Sequence, residues 1–196
     1  MNETLPLATI QEAVLAFLRG REDAVVFGAQ AVNAYVPEPR MSQGVDLHST
    51  RAAELAEELR AYLGNQFHIA MRVREVADGR GYRLYQVQKL GNRHLVDIRL
   101  VQTLPPSQRI AQVLVAAPEA LIALKVIAYH QRRGQPKSGT DWRDVAMLLL
   151  VFPALKQNDG PVTERLKAEN AGEEVLTLWQ DLVKQEIQSR DEDDEF

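Results

Sequence analysis

Apolar residues Ile10, Val14, Phe17 and Leu18 recur at helical spacing, which predicts an amphipathic helix over 8–19 stopped by Gly20. The period then shortens. Ala24-Val25-Val26-Phe27 is a β-favouring run ending at Gly28, and residues 29–35 return to a helical pattern until Pro37 and Pro39 break it. Val45 to His48 reads as a second short strand. Ser49 or Thr50 is positioned to cap a helix whose Ala52, Leu55, Ala56, Leu59, Tyr62 and Leu63 share one face before Gly64. Phe67, Ile69, Met71 and Val73 alternate with polar neighbours, Asp78-Gly79 offers a hairpin turn, and Tyr82 to Leu90 forms the return strand. After Gly91-Asn92, the run Arg93 to Val101 turns Val96, Ile98 and Leu100 to one side and Leu95, Asp97 and Arg99 to the other.

The second half is helical. Pro118 and Glu119 suit a first turn, Arg132 and Arg133 a last turn and Gly134 a stop, predicting a helix over 118–133. Residues 134–139 read as a polar loop, Thr140 as the cap of a helix carrying Val145, Leu148, Leu149 and Phe152. Val175, Leu178, Trp179 and Leu182 mark a final amphipathic helix. The pattern predicts an α/β (α+β) fold: a mixed, mostly antiparallel sheet with flanking helices and a C-terminal helical region. The expected boundaries are an α/β core over 1–116, a helical region over 117–190 packed on it, and an acidic disordered tail over 191–196.

Composition narrows the function classes. The chain has 196 residues, 45% of them hydrophobic, enough for one good core. With no cysteine it offers no disulfide, thiolate metal site or cysteine nucleophile, and a reducing compartment, the cytoplasm, is the expected home. The first residues lack a signal-peptide pattern, and the longest apolar run, Val145 to Phe152, is too short to span a bilayer, so no membrane partner is expected. The net charge of -4 comes from the end of the chain, where Asp191, Glu192, Asp193, Asp194 and Glu195 cluster. Removing those five from the 27 acids leaves 22 against 23 bases, a nearly neutral body that disfavours nucleic acid as a partner.

The stretch Val25 to Leu47, V-V-F-G-A-Q-A-V-N-A-Y-V-P-E-P-R-M-S-Q-G-V-D-L, resembles the nucleotidyltransferase superfamily, and more narrowly its AbiEii-type toxin branch. That branch has a strand, a Gly-Gly or Gly-Ser turn, a helix with a small residue, then Arg-x-Thr/Ser-x-Asp-hydrophobic-Asp-Leu. Gly28, Ala31, Arg40, Ser42, Asp46 and Leu47 match it, and Asp97, Lys125, Asp141 and Asp144 fall where a third carboxylate and a helical Lys with Asp-x-x-Asp follow. The resemblance runs over about residues 24–150. It implies binding of a nucleoside triphosphate and transfer of a nucleotide to an acceptor, with Mg²⁺ on paired carboxylates and a protein partner of the antitoxin kind. Asp46 and Asp97 would be catalytic, while Gly28, Ala29, Arg40, Ser42 and Lys125 would contact the nucleotide.

Two departures alter that expectation. Gly44 stands where the first aspartate of the pair is due, and Ala29 where the second glycine or serine of the turn is due. A missing carboxylate removes a metal ligand outright, so impaired catalysis, or a non-catalytic interaction module, is expected beside weak Mg²⁺ binding. His48 lies two residues beyond Asp46, on the same strand face, and Asp46, His48 and Asp97 are candidates for an imperfect single-metal site; a histidine bonded to backbone is the alternative. Arg40 either contacts phosphate or pairs with Glu38 or Asp46. Lys125 either reaches the triphosphate or pairs with Asp141 and Asp144, and Asp97 is either a ligand or a partner of Arg99. An aspartate restored at position 44 is expected to be accepted if Gly44 is extended.

Overall fold

The computed structural model of the chain describes residues 5–188, so the acidic end at 191–196 lies outside the described residues. Two compact units emerge: one runs to Ala34 and resumes over Pro39–Ala117, and the other joins Tyr35–Glu38 to the residues from Pro118 onward. No helix among the described residues is long and apolar enough to cross a membrane.

The first unit opens with α1 (Leu7–Leu18), which buries Ile10, Ala13, Val14 and Leu18. Then come β1 (Ala24–Phe27), α2 (Gly28–Asn33), β2 (Val45–Ser49), α3 (Ala52–Phe67), β3 (Met71–Val76), β4 (Gly81–Gln86), β5 (Arg93–Leu100), β6 (Ser107–Ile110) and β7 (Val113–Ala116). The strands form one seven-stranded sheet in the order β3-β4-β5-β2-β1-β7-β6. Only β2–β5 and β1–β7 pair in parallel; the other neighbours are antiparallel, as the mostly antiparallel reading of the sequence expects. Period-two alternation divides the sheet faces. Val45, Leu47, Leu84, Val96 and Ile98 are each at most 1% exposed, and the α3 residues Leu55, Leu59 and Leu63 are likewise buried. The opposite face carries the polar residues.

Several local expectations fail for physical reasons. Ser49 does not cap α3: its hydroxyl donates to the Asp23 carbonyl at 2.7 Å and accepts the Arg51 N–H at 3.0 Å, tying β2 to the end of β1. Gly64 does not stop α3, which continues to Phe67 and ends at His68 in the left-handed region, φ 53°. Leu100, read on the side of the buried Val96 and Ile98, is 44% exposed at the end of its strand. The return strand ends at Gln86 rather than Leu90, and β6 and β7 carried no readable signal, being four residues each. Parallel pairing to β1 through Val26 and Val115 is long-range information.

The second unit contains α4 (Pro118–Gln131), α5 (Pro136–Val151), α6 (Pro161–Ala168) and α7 (Glu173–Lys184). The expected loop over 134–139 is helix from Pro136 on, because that proline supplies the fixed φ of a first turn; Thr140 lies inside the helix and donates to the Lys137 carbonyl at 2.7 Å. α6 was not anticipated. Trp179 on α7 is 1% exposed and donates its indole N–H to the Gln157 carbonyl at 3.1 Å.

Lys125 is buried on α4, with its ammonium 2.7 Å from Asp144 and 3.3 Å from Asp141 on α5. Arg132 meets Asp141 from the other side at 2.7 Å. Both acids are buried, so they depend on these cations to be tolerated as charges. Lys125→Met should therefore lower unfolding free energy by about 3–5 kcal/mol, because it leaves Asp144 and Asp141 short of a partner. Chemical denaturation checks this, and unchanged stability would contradict it.

Candidate functional site

β1 delivers Phe27 in extended geometry to Gly28, whose φ of +70° starts α2. Glycine is required here on two counts. The left-handed φ is one. The other is space: a Cβ on Gly28 would collide with the Asp46 carboxylate, lying 2.9 Å from its Cγ. Asp46 on β2 is thus folded hard against the strand-to-helix turn. Ala29 and Ala31 are buried within α2, so alanine at the second turn position is a packed core residue.

Register lines up the rest of the row. Phe27 pairs with Asp46, Asp46 with Asp97, Asp97 with Arg83, and Arg83 with Arg74, crossing from β1 to β3 on one face. The two candidate carboxylates are therefore side by side on neighbouring parallel strands. Asp97 is engaged: Arg83 Nε donates to its Oδ1 at 2.7 Å, and His94 Nε2 lies 3.1 Å from its Oδ2. Burial alone would raise the Asp97 carboxyl, but His94 and Arg83 outweigh it and hold the group below its ordinary range. Arg99, the partner expected from sequence, instead sits over the Phe27 ring, 5.4 Å from its centroid. His48 is 4% exposed and stacks on the same ring at 3.9 Å.

The chain entering β2 is held by side chains. Asn33 accepts the Arg40 N–H at 3.0 Å and donates to the Arg40 carbonyl at 2.8 Å, fixing the Arg40 backbone, while Arg40 Nη1 donates to the Met41 carbonyl at 3.3 Å. The Ser42 hydroxyl donates to the Gly44 carbonyl at 2.6 Å, and Gln11 donates to the Ser42 carbonyl at 2.9 Å. Ser42 thus shapes the loop. Lys125 belongs to the second unit, in the ion network described above.

Position 44 is already filled. A Cβ there would lie 2.9 Å from the Leu95 carbonyl oxygen and 3.2 Å from His94 Cε1. Among the described residues no three His, Asp or Glu side chains converge to hold a metal. With Gly44 offering no oxygen and Asp97 committed to Arg83, the residues present do not fit a two-ion carboxylate clamp. Arg83 and His94 were not singled out from sequence. Their meeting with Asp97 follows from strand pairing, which local periodicity does not specify.

A glycine turn packed against a strand carboxylate, with a second acid on the adjoining parallel strand, is the arrangement of a nucleotidyltransferase fold. The chain belongs to the family described as nucleotidyl transferase AbiEii toxin, Type IV TA system, which matches residues 12–194, well beyond the 24–150 read from motifs. A search of curated proteins found no match. Among solved structures it is similar to JHP933 from Helicobacter pylori, with TM-score 0.62, 13% identity, and 94% of this chain and 91% of that one covered. It is also similar to the Megavirus polyadenylate synthase, with TM-score 0.60 and 15% identity over 75% of this chain, but spans only 32% of the viral chain. A third is ANT(2")-Ia in complex with adenylyl-2"-tobramycin, with TM-score 0.50, 15% identity, and 90% and 95% coverage. At such identities the likeness is one of fold.

The expectation that position 44 would accept an acid is corrected by this geometry: space, not backbone conformation, opposes it, since Gly44 is not among the glycines of positive φ. Gly44→Asp should destabilise by about 1–3 kcal/mol, the range for forcing atoms into a packed site. It should also bring no gain in Mg²⁺ affinity. Thermal melts with and without Mg²⁺ check both, and a variant of unchanged stability with new Mg²⁺ protection would contradict it.

Proposed function

We propose that this chain is a cytoplasmic protein that binds a nucleoside triphosphate in the cleft beside Gly28 and Asp46, with nucleotide transfer to an acceptor impaired. The observation that carries the reading is the contrast among neighbouring positions of the sheet: the glycine turn with its abutting carboxylate is intact, whereas the space at position 44 is filled and Asp97 is engaged by Arg83. Family membership supports a nucleotide as the ligand. In this reading backbone N–H groups of Gly28 and Ala29, with Arg40, approach the phosphates and Ser42 holds the loop that presents them, while Lys125 stays in its ion network with Asp141 and Asp144. Asp46 and Asp97 are what remains of the transfer machinery. Any Mg²⁺ site on Asp46, Asp97 and His48 is weak, because Asp97 is already paired with Arg83 and imidazole is a poor ligand for hard Mg²⁺.

A second reading is favoured by the same filled position. The fold would then serve as a non-catalytic module for a protein partner, in keeping with the toxin-antitoxin description of the family.

Calorimetry with ATP separates the two. The first reading expects weak binding that changes by less than about tenfold, 1.4 kcal/mol, when Mg²⁺ is replaced by EDTA. It also expects Arg40→Ala to weaken that binding. Strict Mg²⁺ dependence would overturn the impaired-site argument, and absence of ATP binding would favour the interaction module.

A further inference from the structure

The polar face of the sheet continues past Asp97 to its β3 edge, and the charge there is uncompensated. Arg74 on β3 is directly opposite Arg83 on β4, a like-charge cross-strand pair that costs stability. Arg83 is neutralised by Asp97, but Arg74 is not. Arg72, two residues away and on the same face, is directly opposite Tyr85. Both β3 arginines are exposed, and neither makes a side-chain hydrogen bond or ion pair with another described residue. Glu75, the one acid on β3, alternates to the other face opposite Tyr82. Arg72, Arg74, Tyr85 and Asn92 line a shallow pocket.

We propose that this pocket is a binding site for the phosphate of a small phosphorylated molecule. Two guanidinium forks, a phenol and a carboxamide supply donors that match a phosphate monoester's oxygens, and the half-buried Tyr85 ring, packed edge to face on His94, offers apolar surface beside them for an attached ring. A dianion between Arg72 and Arg74 converts the repulsion with Arg83 into attraction, which accounts for three arginines on adjoining positions of one face. The pocket is distinct from the Gly28 turn. Two strand spacings, roughly 10 Å, separate Arg74 from Asp97, so the site does not depend on triphosphate binding. A long polyanion is the less favoured ligand, since the body is nearly neutral once the five acids at 191–195 are set aside.

The test uses the full chain with phenyl phosphate and inorganic phosphate as probes, followed by calorimetry, with a single-stranded oligonucleotide lacking terminal phosphate as comparison. Phenyl phosphate should bind more tightly than inorganic phosphate, and Arg72→Gln and Arg74→Gln should each weaken it about tenfold or more, the loss of one charge-assisted fork. Asp46→Asn should leave it unchanged. Because Arg74→Gln also removes the repulsion with Arg83, the unliganded variant should melt no lower than the parent, which separates lost binding from lost folding. No binding of either probe, binding unaffected by Arg74→Gln, or oligonucleotide binding tighter than phenyl phosphate and steeply salt-dependent would each overturn the proposal.

Discussion

The parallel pairing of β2 with β5, in register from Val45–Val96 to Ser49–Leu100, is the constraint on which the site depends. Register in a sheet is enforced by whichever face is buried, because a slip of one residue exchanges the faces. Here Val45, Leu47, Val96 and Ile98 are all buried, and each contributes about 1.5–3 kcal/mol by leaving water. A slip would bury Asp97 and expose Ile98. The hydrophobic effect on one face thus aligns the carboxylates on the other, with no need for attraction between two like charges.

The same register decides what those carboxylates can do. Asp46 is pressed against Gly28 by the antiparallel pairing of β1 with β2, and Asp97 receives Arg83 from the antiparallel pairing of β4 with β5. A carboxylate bonded to a guanidinium at 2.7 Å has lost much of its capacity to attract a cation. At position 44 the neighbouring strand's carbonyl and His94 occupy the space an acid would need. The glycine at position 44 and the close approach of β5 therefore go together.

Much of the fold was legible because it rests on local periodicity. β1 was read to the residue, and the face of α3 carrying Leu55, Leu59 and Leu63 follows from its 3.6 period. Helix ends were less legible: Thr50 and Gly64 have the right chemistry, but Ser49 was claimed by Asp23 and the chain turned at His68. β6 and β7 were invisible because four-residue strands carry almost no pattern and β7 is recruited by a distant partner, Val26. In the candidate site, Gly28, Asp46 and Asp97 were singled out by motif order, and sheet register places them side by side. Arg83 was missed because only the β4–β5 register sets it opposite Asp97, and His94 because its approach to Asp97 depends on the irregularity opposite Leu84 and Tyr85.

The proposed reading is that a triphosphate binds beside Gly28 and Asp46 without a two-ion carboxylate clamp. Crystals soaked with Mn²⁺ and a non-hydrolysable ATP analogue test it directly, because anomalous scattering locates each ion independently of the nucleotide. The account predicts phosphate density beside Gly28 and Asp46 with Arg83 still bonded to Asp97 and no pair of Mn²⁺ peaks. Two Mn²⁺ peaks bridged by Asp46 and Asp97, with Arg83 displaced, would contradict it.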